Sequence, residues 1–443
     1  MVRTRRAVAV VALMALALSG CGGNSAATTD AKQDEKAALD IWVRFAPGSP
    51  SEATAKALAA KFTEKTGIPT NVTASTDLET KLQQAAASKD LPDIVVNDVA
   101  QLGNLVSQGL VTQVNKSDIE GADKLSATAW DAATATDGKQ YGVPFNAQTY
   151  AILIRKDWRE KVGLAEPKSW DDLVALGKAF TTGDPDGNGK ADTYGFDIPG
   201  TTTRGYISWY FSNFLFSDGA EFLTGSNGKF TPAVTSDNSV AALTWFQQLF
   251  CTDKVVMPGS VTQSTGDAIA AFQAGKAGIY LTGPYNLAAA DKVGAGKVEV
   301  VPVPAGPNGG GKALALAEGE NIYLMAGSPN QAGQRKFAGF AASVEGQTIG
   351  MNGDKEGNLV RLPVNTEVKM SDVRTDTRWQ VFADVYTNSG KLAPRVPNWT
   401  PFRQTAADSF NSIVSNCSAD PKAELTKLSD TFKQELEKQG VLG

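Results

Sequence analysis

Oxygen-bearing side chains recur at short spacing in one glycine-rich loop of the chain. In Asp184-Pro185-Asp186-Gly187-Asn188-Gly189-Lys190-Ala191-Asp192 they stand at the first, third, fifth and ninth places, and glycine stands at the sixth. This spacing is typical of a calcium-binding loop, because the oxygens converge on one cation and glycine permits the sharp turn. The predicted ligands are Asp184, Asp186, Asn188, Asp192 and the backbone carbonyl of Lys190.

The twelfth place of the same loop departs from the pattern. Gly195 stands where a calcium loop carries a bidentate Glu. Calcium binding therefore needs a carboxylate from elsewhere in the chain, or it is weak. The alternative is a tight Asp/Gly turn that holds no metal. The predicted role of the loop is structural in either case.

The chain contains no histidine. This absence excludes Ser-His-Asp and Cys-His catalysis, His-ligated zinc and imidazole acid–base chemistry. We find no pair of acidic residues in a context that suggests acid–base catalysis. An exported carbohydrate-active enzyme that uses paired carboxylates nevertheless stays open as an alternative function.

The composition is that of an ordinary globular protein, with 42% hydrophobic and 20% charged residues. The formal net charge is −5, and the sequence has no basic stripe. This argues against nucleic acid as a partner. No polybasic patch is available for anionic lipids either, so the sequence predicts that any membrane attachment comes from acyl chains alone.

The N-terminus has the pattern of an export signal. Three arginines within the first six residues precede an apolar run, Ala7–Leu18, that is too short to span a membrane comfortably. The ending Leu18-Ser19-Gly20-Cys21 resembles the lipobox of bacterial lipoproteins, in which the cysteine is acylated and becomes the new N-terminus. We expect residues 1–20 to be removed and the protein to be exported and held by Cys21 on the outer face of the cytoplasmic membrane. An ordinary secretory signal with an incidental cysteine is the alternative.

Two further features follow from the export signal. Residues 21–37 are polar without apolar periodicity, which predicts a disordered tether. In an oxidising compartment Cys251 and Cys417 either form one disulfide or remain as two buried thiols.

Strands and helices alternate from residue 39 onward. Strand-like segments at 39–45, 68–74 and 94–96 are separated by amphipathic helices, which predicts an α/β fold with a mostly parallel sheet covered on both faces. Ligands of such sheets lie beyond the carboxyl ends of the strands. We therefore expect a site around Arg44–Pro47 and around Asn97 and Asp98.

Several short motifs, in a fixed order, resemble those of the bacterial extracellular solute-binding proteins related to maltose-binding protein. The motifs are Leu91-Pro92-Asp93-Ile94, Tyr141-Gly142-Val143-Pro144, Asn227-Gly228-Lys229-Phe230, Ala271-Phe272-Gln273-Ala274-Gly275-Lys276-Ala277, Thr282-Gly283-Pro284-Tyr285 and Ser328-Pro329-Asn330. The resemblance implies a two-lobed α/β fold with discontinuous lobes and a ligand cleft between them. It also implies a monomer that captures a solute, closes, and presents it unchanged to the membrane subunits of an ABC importer.

The implied lobes are residues 38–147 plus 314–374 and residues 148–313 plus 375–443. We expect the chain to cross between them near Asn146, near Gly311–Glu318 and near Val373–Thr377. Closure then depends on contacts that the ligand makes to both lobes at once.

The cleft candidates suit an uncharged sugar, because a sugar ring offers an apolar face to aromatic rings and hydroxyls to polar groups. Each aromatic candidate could instead belong to the core, and a polyamine, peptide or metal chelate is the alternative solute. Which of Asn146 and Gln148 faces the cleft stays open. The predicted ligand-binding residues are Arg44, Asn97, Asp98, Asn146, Gln148, Trp209, Tyr285 and Trp399.

Overall fold

The structure, a computed structural model, describes residues 33–226, 228–351 and 360–443. The predicted signal peptide, the acylated Cys21 and most of the predicted tether lie outside the described residues. In the parts of the chain that are described, no helix combines the length and apolar character needed to cross a membrane.

Short strands and longer helices alternate along the chain. The strands are β1 (Leu39–Val43), β2 (Thr70–Ala74), β3 (Ile94–Asp98), β4 (Val143–Thr149), β5 (Ala151–Arg155), β6 (Tyr194–Asp197), β7 (Leu223–Ser226), β8 (Lys229–Pro232), β9 (Ala277–Thr282), β10 (Val298–Val301), β11 (Ala315–Leu324), β12 (Leu362–Pro363) and β13 (Gly390–Leu392). The helices are α1 (Pro50–Thr66), α2 (Leu78–Ser88), α3 (Leu102–Ser107), α4 (Ala127–Ala132), α5 (Lys156–Lys161), α6 (Trp170–Thr182), α7 (Tyr206–Ser217), α8 (Asp237–Cys251), α9 (Thr265–Gln273), α10 (Leu287–Ala290), α11 (Gln331–Ala342), α12 (Val344–Met351), α13 (Met370–Val373), α14 (Arg378–Ser389), α15 (Thr400–Ser415) and α16 (Pro421–Lys438).

The first lobe is built on the larger sheet, whose strand order is β12-β4-β11-β3-β1-β2, with β13 beside β11. Strands β2, β1 and β3 are parallel, as the strand–helix alternation predicts. The expectation of a mostly parallel sheet is wrong beyond them, since β11 runs antiparallel to β3 and β4. Strand β11 enters from the other lobe, so no helical crossover fixes its direction.

The second lobe is built on a sheet of order β10-β5-β9-β6. Strand β5 is antiparallel to both of its neighbours, and β6 is parallel to β9. Strands β7 and β8 form a separate hairpin. A disulfide joins Cys251, at the end of α8, to Cys417 beyond α15, with the two Cα atoms 5.5 Å apart.

The chain passes between the two sheets at three places. Strand β4 ends at Thr149 in the first sheet and β5 begins at Ala151 in the second, so Tyr150 lies at the first crossing. The return crossing lies between β10 and β11. The third differs from the expected position near Val373–Thr377, because β13 still pairs with β11 and the chain leaves the first sheet only after Leu392.

Candidate functional site

A cavity of about 210 Å³ lies between the lobes, around the Tyr150 crossing. The first lobe contributes mainly polar side chains and the second contributes aromatic ones. The lining includes Arg44, Asp98, Gln148, Glu318 and Arg361 from the first lobe, and Arg204, Tyr206, Trp209, Tyr210, Tyr280 and Tyr285 from the second.

Arg44 and Asp98 form an ion pair at one edge of the first sheet. Arg44 follows β1 and Asp98 ends β3, and these strands are parallel neighbours, so their carboxyl ends meet at the same edge. Arg44 Nη2 lies 2.6 Å from Asp98 Oδ1, and the two side chains are 15% and 22% exposed. The site predicted at the strand ends is therefore a charged, partly solvated pair on the cavity wall.

A hydrogen-bonded network lines the same wall beside this pair. The Tyr150 hydroxyl donates to Glu318 Oε2 at 2.7 Å. Arg361 Nη1 donates to Gln148 Oε1 at 2.5 Å. Burial raises the pKa of Glu318. Burial, reinforced by the nearby Glu318 carboxylate, also raises the pKa of Tyr150, which therefore remains a neutral donor.

Sequence reasoning missed Tyr150, Glu318 and Arg361. For Glu318 a signal existed, since Ala315-Leu316-Ala317-Glu318-Gly319-Glu320 places two acids in an otherwise apolar strand. Acids inside a buried strand usually have a specific partner or a function.

Two aromatic rings of the second lobe face the cavity, and each is covered in part by a guanidinium. Trp209 packs against Tyr206, with ring centroids 5.5 Å apart. The guanidinium carbon of Arg403 lies 4.4 Å from the Trp209 centroid. That of Arg361 lies 5.4 Å from the Tyr285 centroid. Trp209 and Tyr285, both predicted ligand-binding residues, thus line one cavity.

Trp399 lies deeper than the other two predicted aromatic residues. It is 6% exposed and stacks on Phe402 with a centroid distance of 5.5 Å. It lines an adjoining, more apolar cavity of about 160 Å³, which shares Trp209 and Glu318 with the first. Trp399 therefore belongs mainly to the core of the second lobe and reaches the cleft with part of its surface.

Two of the predicted polar residues lie behind the cavity wall. Asn97 is fully buried, and its Oδ1 accepts a hydrogen bond from the backbone N–H of Asp98. Asn146 is also buried, and its Nδ2 donates to Glu320 Oε2 at 2.6 Å. Of Asn146 and Gln148, it is Gln148 that lines the cavity.

The Asp184 loop lies outside the cleft and folds as a turn. The carboxylate of Asp184 accepts hydrogen bonds from the backbone N–H groups of Gly187, Asn188 and Gly189. The Asn188 amide donates to Asp186 and Asp192, at 2.9 and 3.0 Å. Across the described ranges, no group of three or more His, Cys, Asp or Glu side chains is arranged to hold a metal ion.

Residues 57–380 match the family described as bacterial extracellular solute-binding protein. The chain belongs to this family. The predicted family is confirmed, and the family and the relatives below are binding proteins rather than enzymes.

Two relatives in the solute-binding family come from Streptococcus pneumoniae. The "Fructooligosaccharide ABC transporter substrate-binding protein FusA" is 27% identical over 69% of this chain, which spans 62% of the length of FusA. A "Maltooligosaccharide ABC transporter solute-binding lipoprotein" is 25% identical over 96% of both chains.

Among solved structures, the GacH receptor of Streptomyces glaucescens, determined unliganded and with acarbose, superposes with a TM-score of 0.75. The two share 19% identity, and the match covers 91% of this chain and 99% of GacH. The predicted two-lobed α/β fold is confirmed by this likeness.

Proposed function

We propose that the protein captures a saccharide between its lobes and delivers it, chemically unchanged, to the membrane subunits of an ABC importer. The observation that carries the proposal is the interlobe cavity, which presents aromatic faces from one lobe and hydrogen-bonding side chains from the other. A sugar needs both kinds of surface at once. Contacts to both lobes also make closure depend on the ligand.

The polar groups around the cavity suit a ligand rich in hydroxyls. Asp98 and Glu318 accept hydrogen bonds, Arg44 and Arg361 donate them, and Gln148 does both. Such a mixture pairs with hydroxyls, each of which is both donor and acceptor. The names of the two pneumococcal relatives, and acarbose in the GacH structure, support a saccharide.

We propose that Cys21 carries the acyl chains that hold the protein on the outer face of the cytoplasmic membrane. We also propose that the protein has no other membrane attachment and no nucleic-acid partner, and that it works as a monomer. The description of the family as extracellular and the lipoprotein among its relatives support export and anchoring.

A thermal-shift panel of mono- and oligosaccharides tests the function. We expect at least one saccharide to raise the free energy of unfolding by about 2.7 kcal/mol at 100 times its Kd, because only the folded state binds. Tyr285→Ala is expected to diminish this gain. Polyamines, peptides and metal chelates are tested alongside. If only one of these solutes stabilises the protein, that solute and not a saccharide is the ligand. Release of sugar from glycosides by the purified protein would favour the enzyme alternative.

We also propose that the Asp184 loop binds calcium weakly and in a structural role. The side chains of Asp186 and Asp192 already lie within hydrogen-bond distance of the Asn188 side chain, and this proximity supports the proposal. At a calcium concentration of about ten times Kd we expect a stabilisation of about 1.4 kcal/mol, which a chelator reverses and Asp186→Ala abolishes. Magnesium at the same concentration is the control. A melting temperature that does not respond to calcium would leave the loop as a metal-free turn.

A further inference from the structure

Guanidinium groups outnumber carboxylates along the interlobe cavity. Its charged lining consists of Arg44, Arg204 and Arg361 against Asp98 and Glu318. Arg44 and Asp98 neutralise each other as an ion pair. Glu318 accepts hydrogen bonds from neutral groups, the Tyr150 hydroxyl and the Gln148 amide. The lining therefore carries one more guanidinium than carboxylates. The buried Glu320 carboxylate lies behind the wall near Arg361 and Arg44 and offsets part of this charge, although it forms no ion pair with either arginine among the described residues.

Arg204, Arg361 and Arg403 form no ion pair with any carboxylate of the described residues. Arg361 contacts Gln148 and the ring of Tyr285, and Arg403 lies over the ring of Trp209. Burial lowers the pKa of Arg403, and the nearby Arg44 and Arg204 act in the same direction, although Asp98 and Glu318 oppose them. The desolvation of Arg403 is thus only partly offset by these two carboxylates, so an added anion nearby is expected to be favourable.

The three arginines come from both lobes and lie around the junction of the two cavities. Arg204 and Arg361 line the interlobe cavity, and Arg403 lines the adjoining one beside Trp209, which the two cavities share. Arg361 precedes β12 in the first lobe, whereas Arg204 precedes α7 and Arg403 lies on α15 in the second. Arg204 has a φ of 57°, in the left-handed region that a non-glycine residue seldom adopts, and Gly205 follows with a φ of 81°. The Arg403 side chain packs against Gly205, where a Cβ atom would lie 2.7 Å from Arg403 Cγ.

The start of α7 adds to the same positive potential. Gly205 is the N-cap of this helix, and no side-chain oxygen caps it. The N-terminal end of a helix carries partial positive charge, which usually attracts an acidic residue. Here Arg204 precedes the helix instead, so its positive charge adds to the partial positive charge of the helix N-terminus.

We propose that the natural ligand is an acidic saccharide, whose carboxylate or phosphoryl group is held between Arg361 of the first lobe and Arg204 and Arg403 of the second. This rests on the proposed function, in that the ligand is a saccharide. Guanidinium forks match the oxygen pairs of such groups and bind them more strongly than they bind hydroxyls. An anion bridging the lobes also attracts each toward the other, which favours closure.

Matched ligand pairs that differ in charge test the proposal by isothermal titration calorimetry. Trigalacturonate is compared with its methyl ester, and glucose 6-phosphate with glucose. We expect the acidic member of at least one pair to bind about tenfold tighter or more at low ionic strength, and the margin to shrink as salt is added. The pair that shows the margin distinguishes carboxylate from phosphoryl recognition.

Single-arginine variants test whether the tighter binding of the acidic ligand depends on the arginines around the cavity. Arg361→Gln is expected to weaken binding of both members, because Arg361 donates to hydroxyls as well, but to weaken binding of the acidic member about tenfold more than binding of its neutral partner. Arg204→Gln is a second variant, at an exposed side chain, and urea unfolding of this variant checks that the fold is kept. Arg335→Gln, on α11 and outside the cavity lining, controls for the loss of one charge.

The outcomes separate this inference from the proposed function. If neutral saccharides bind as tightly as their acidic partners, or the arginine variants leave the margin unchanged, the acidic ligand is wrong and saccharide capture stands. If no saccharide of either charge binds, the proposed function fails, and this inference fails with it.

Discussion

Replacing Asp197 with Asn is expected to raise the free energy of unfolding at pH 8 by up to about 5 kcal/mol. Asp197 is the last residue of β6 and is 0% exposed. Neither of its carboxylate oxygens has a hydrogen-bond partner among the described residues. Burial, with a contribution from the nearby Asp267, raises the pKa of Asp197 from 3.8 to about 8. The folded state therefore disfavours the charge that the unfolded chain carries at neutral pH.

The pH dependence has a definite sign. Below about pH 4 the carboxyl is protonated in both states, so it carries no ionisation penalty. Between about pH 4 and pH 8 the unfolded chain releases the proton while the folded protein retains it. Stability of the unsubstituted protein therefore falls across this window by about 1.4 kcal/mol per pH unit from this group. The amide introduced by Asp197→Asn does not titrate, so the two proteins should be similar at pH 4 and diverge toward pH 8.

Urea unfolding at several pH values measures this divergence, and Asp430→Asn is the control. Asp430 is an exposed acid on α16, so its replacement removes one charge without relieving a burial penalty. Parallel stability profiles for Asp197→Asn and the unsubstituted protein would show that Asp197 is ionised in the folded state. A shared decline with pH in all three proteins would assign the effect to other groups.

Local elements could be predicted because their signals lie within a few residues of each other. The start of α1 is an example, since Ser49 accepts a hydrogen bond from the backbone N–H of Glu52. Its end is another, since Gly67 has a φ of 72°. Capping chemistry of this kind depends on side chains that are close in sequence. The third lobe crossing depends instead on the pairing of β13 with β11, whose residues are far apart in the chain, and it differs from the expected position.

For the site residues too, positions fixed by local sequence could be predicted, and positions fixed by contacts between distant segments could not. Arg44 and Asp98 could be placed on the cavity because parallel β1 and β3 bring their carboxyl ends together. Arg361 could not, because its contact with Gln148 joins residues 213 positions apart. The orientation of the tryptophan rings could not be predicted from the sequence either. Composition and spacing favour an aromatic wall but do not reveal which ring faces the cavity and which packs inward.

Trp209→Ala is expected to weaken saccharide binding by at least about 30-fold, equivalent to about 2 kcal/mol, while Trp399→Ala mainly destabilises the fold. Trp209 is partly exposed on the cavity, so its ring is available to a sugar face. Trp399 packs on Phe402 and Phe222, and removing it leaves a void in the second lobe. Core replacements of this size reduce the free energy of unfolding by about 3–5 kcal/mol.

Calorimetry with the saccharide identified in the thermal-shift panel, together with urea unfolding without ligand, separates the two effects. Phe250→Ala is a matched control, since Phe250 is a partly buried aromatic residue of the second lobe that does not line the cavity. Loss of affinity in Trp399→Ala equal to that in Trp209→Ala, without loss of stability, would assign both rings to the ligand. Unchanged affinity in Trp209→Ala would show that the Trp209 ring does not contact the bound sugar, and would leave Tyr285 as the predicted aromatic contact.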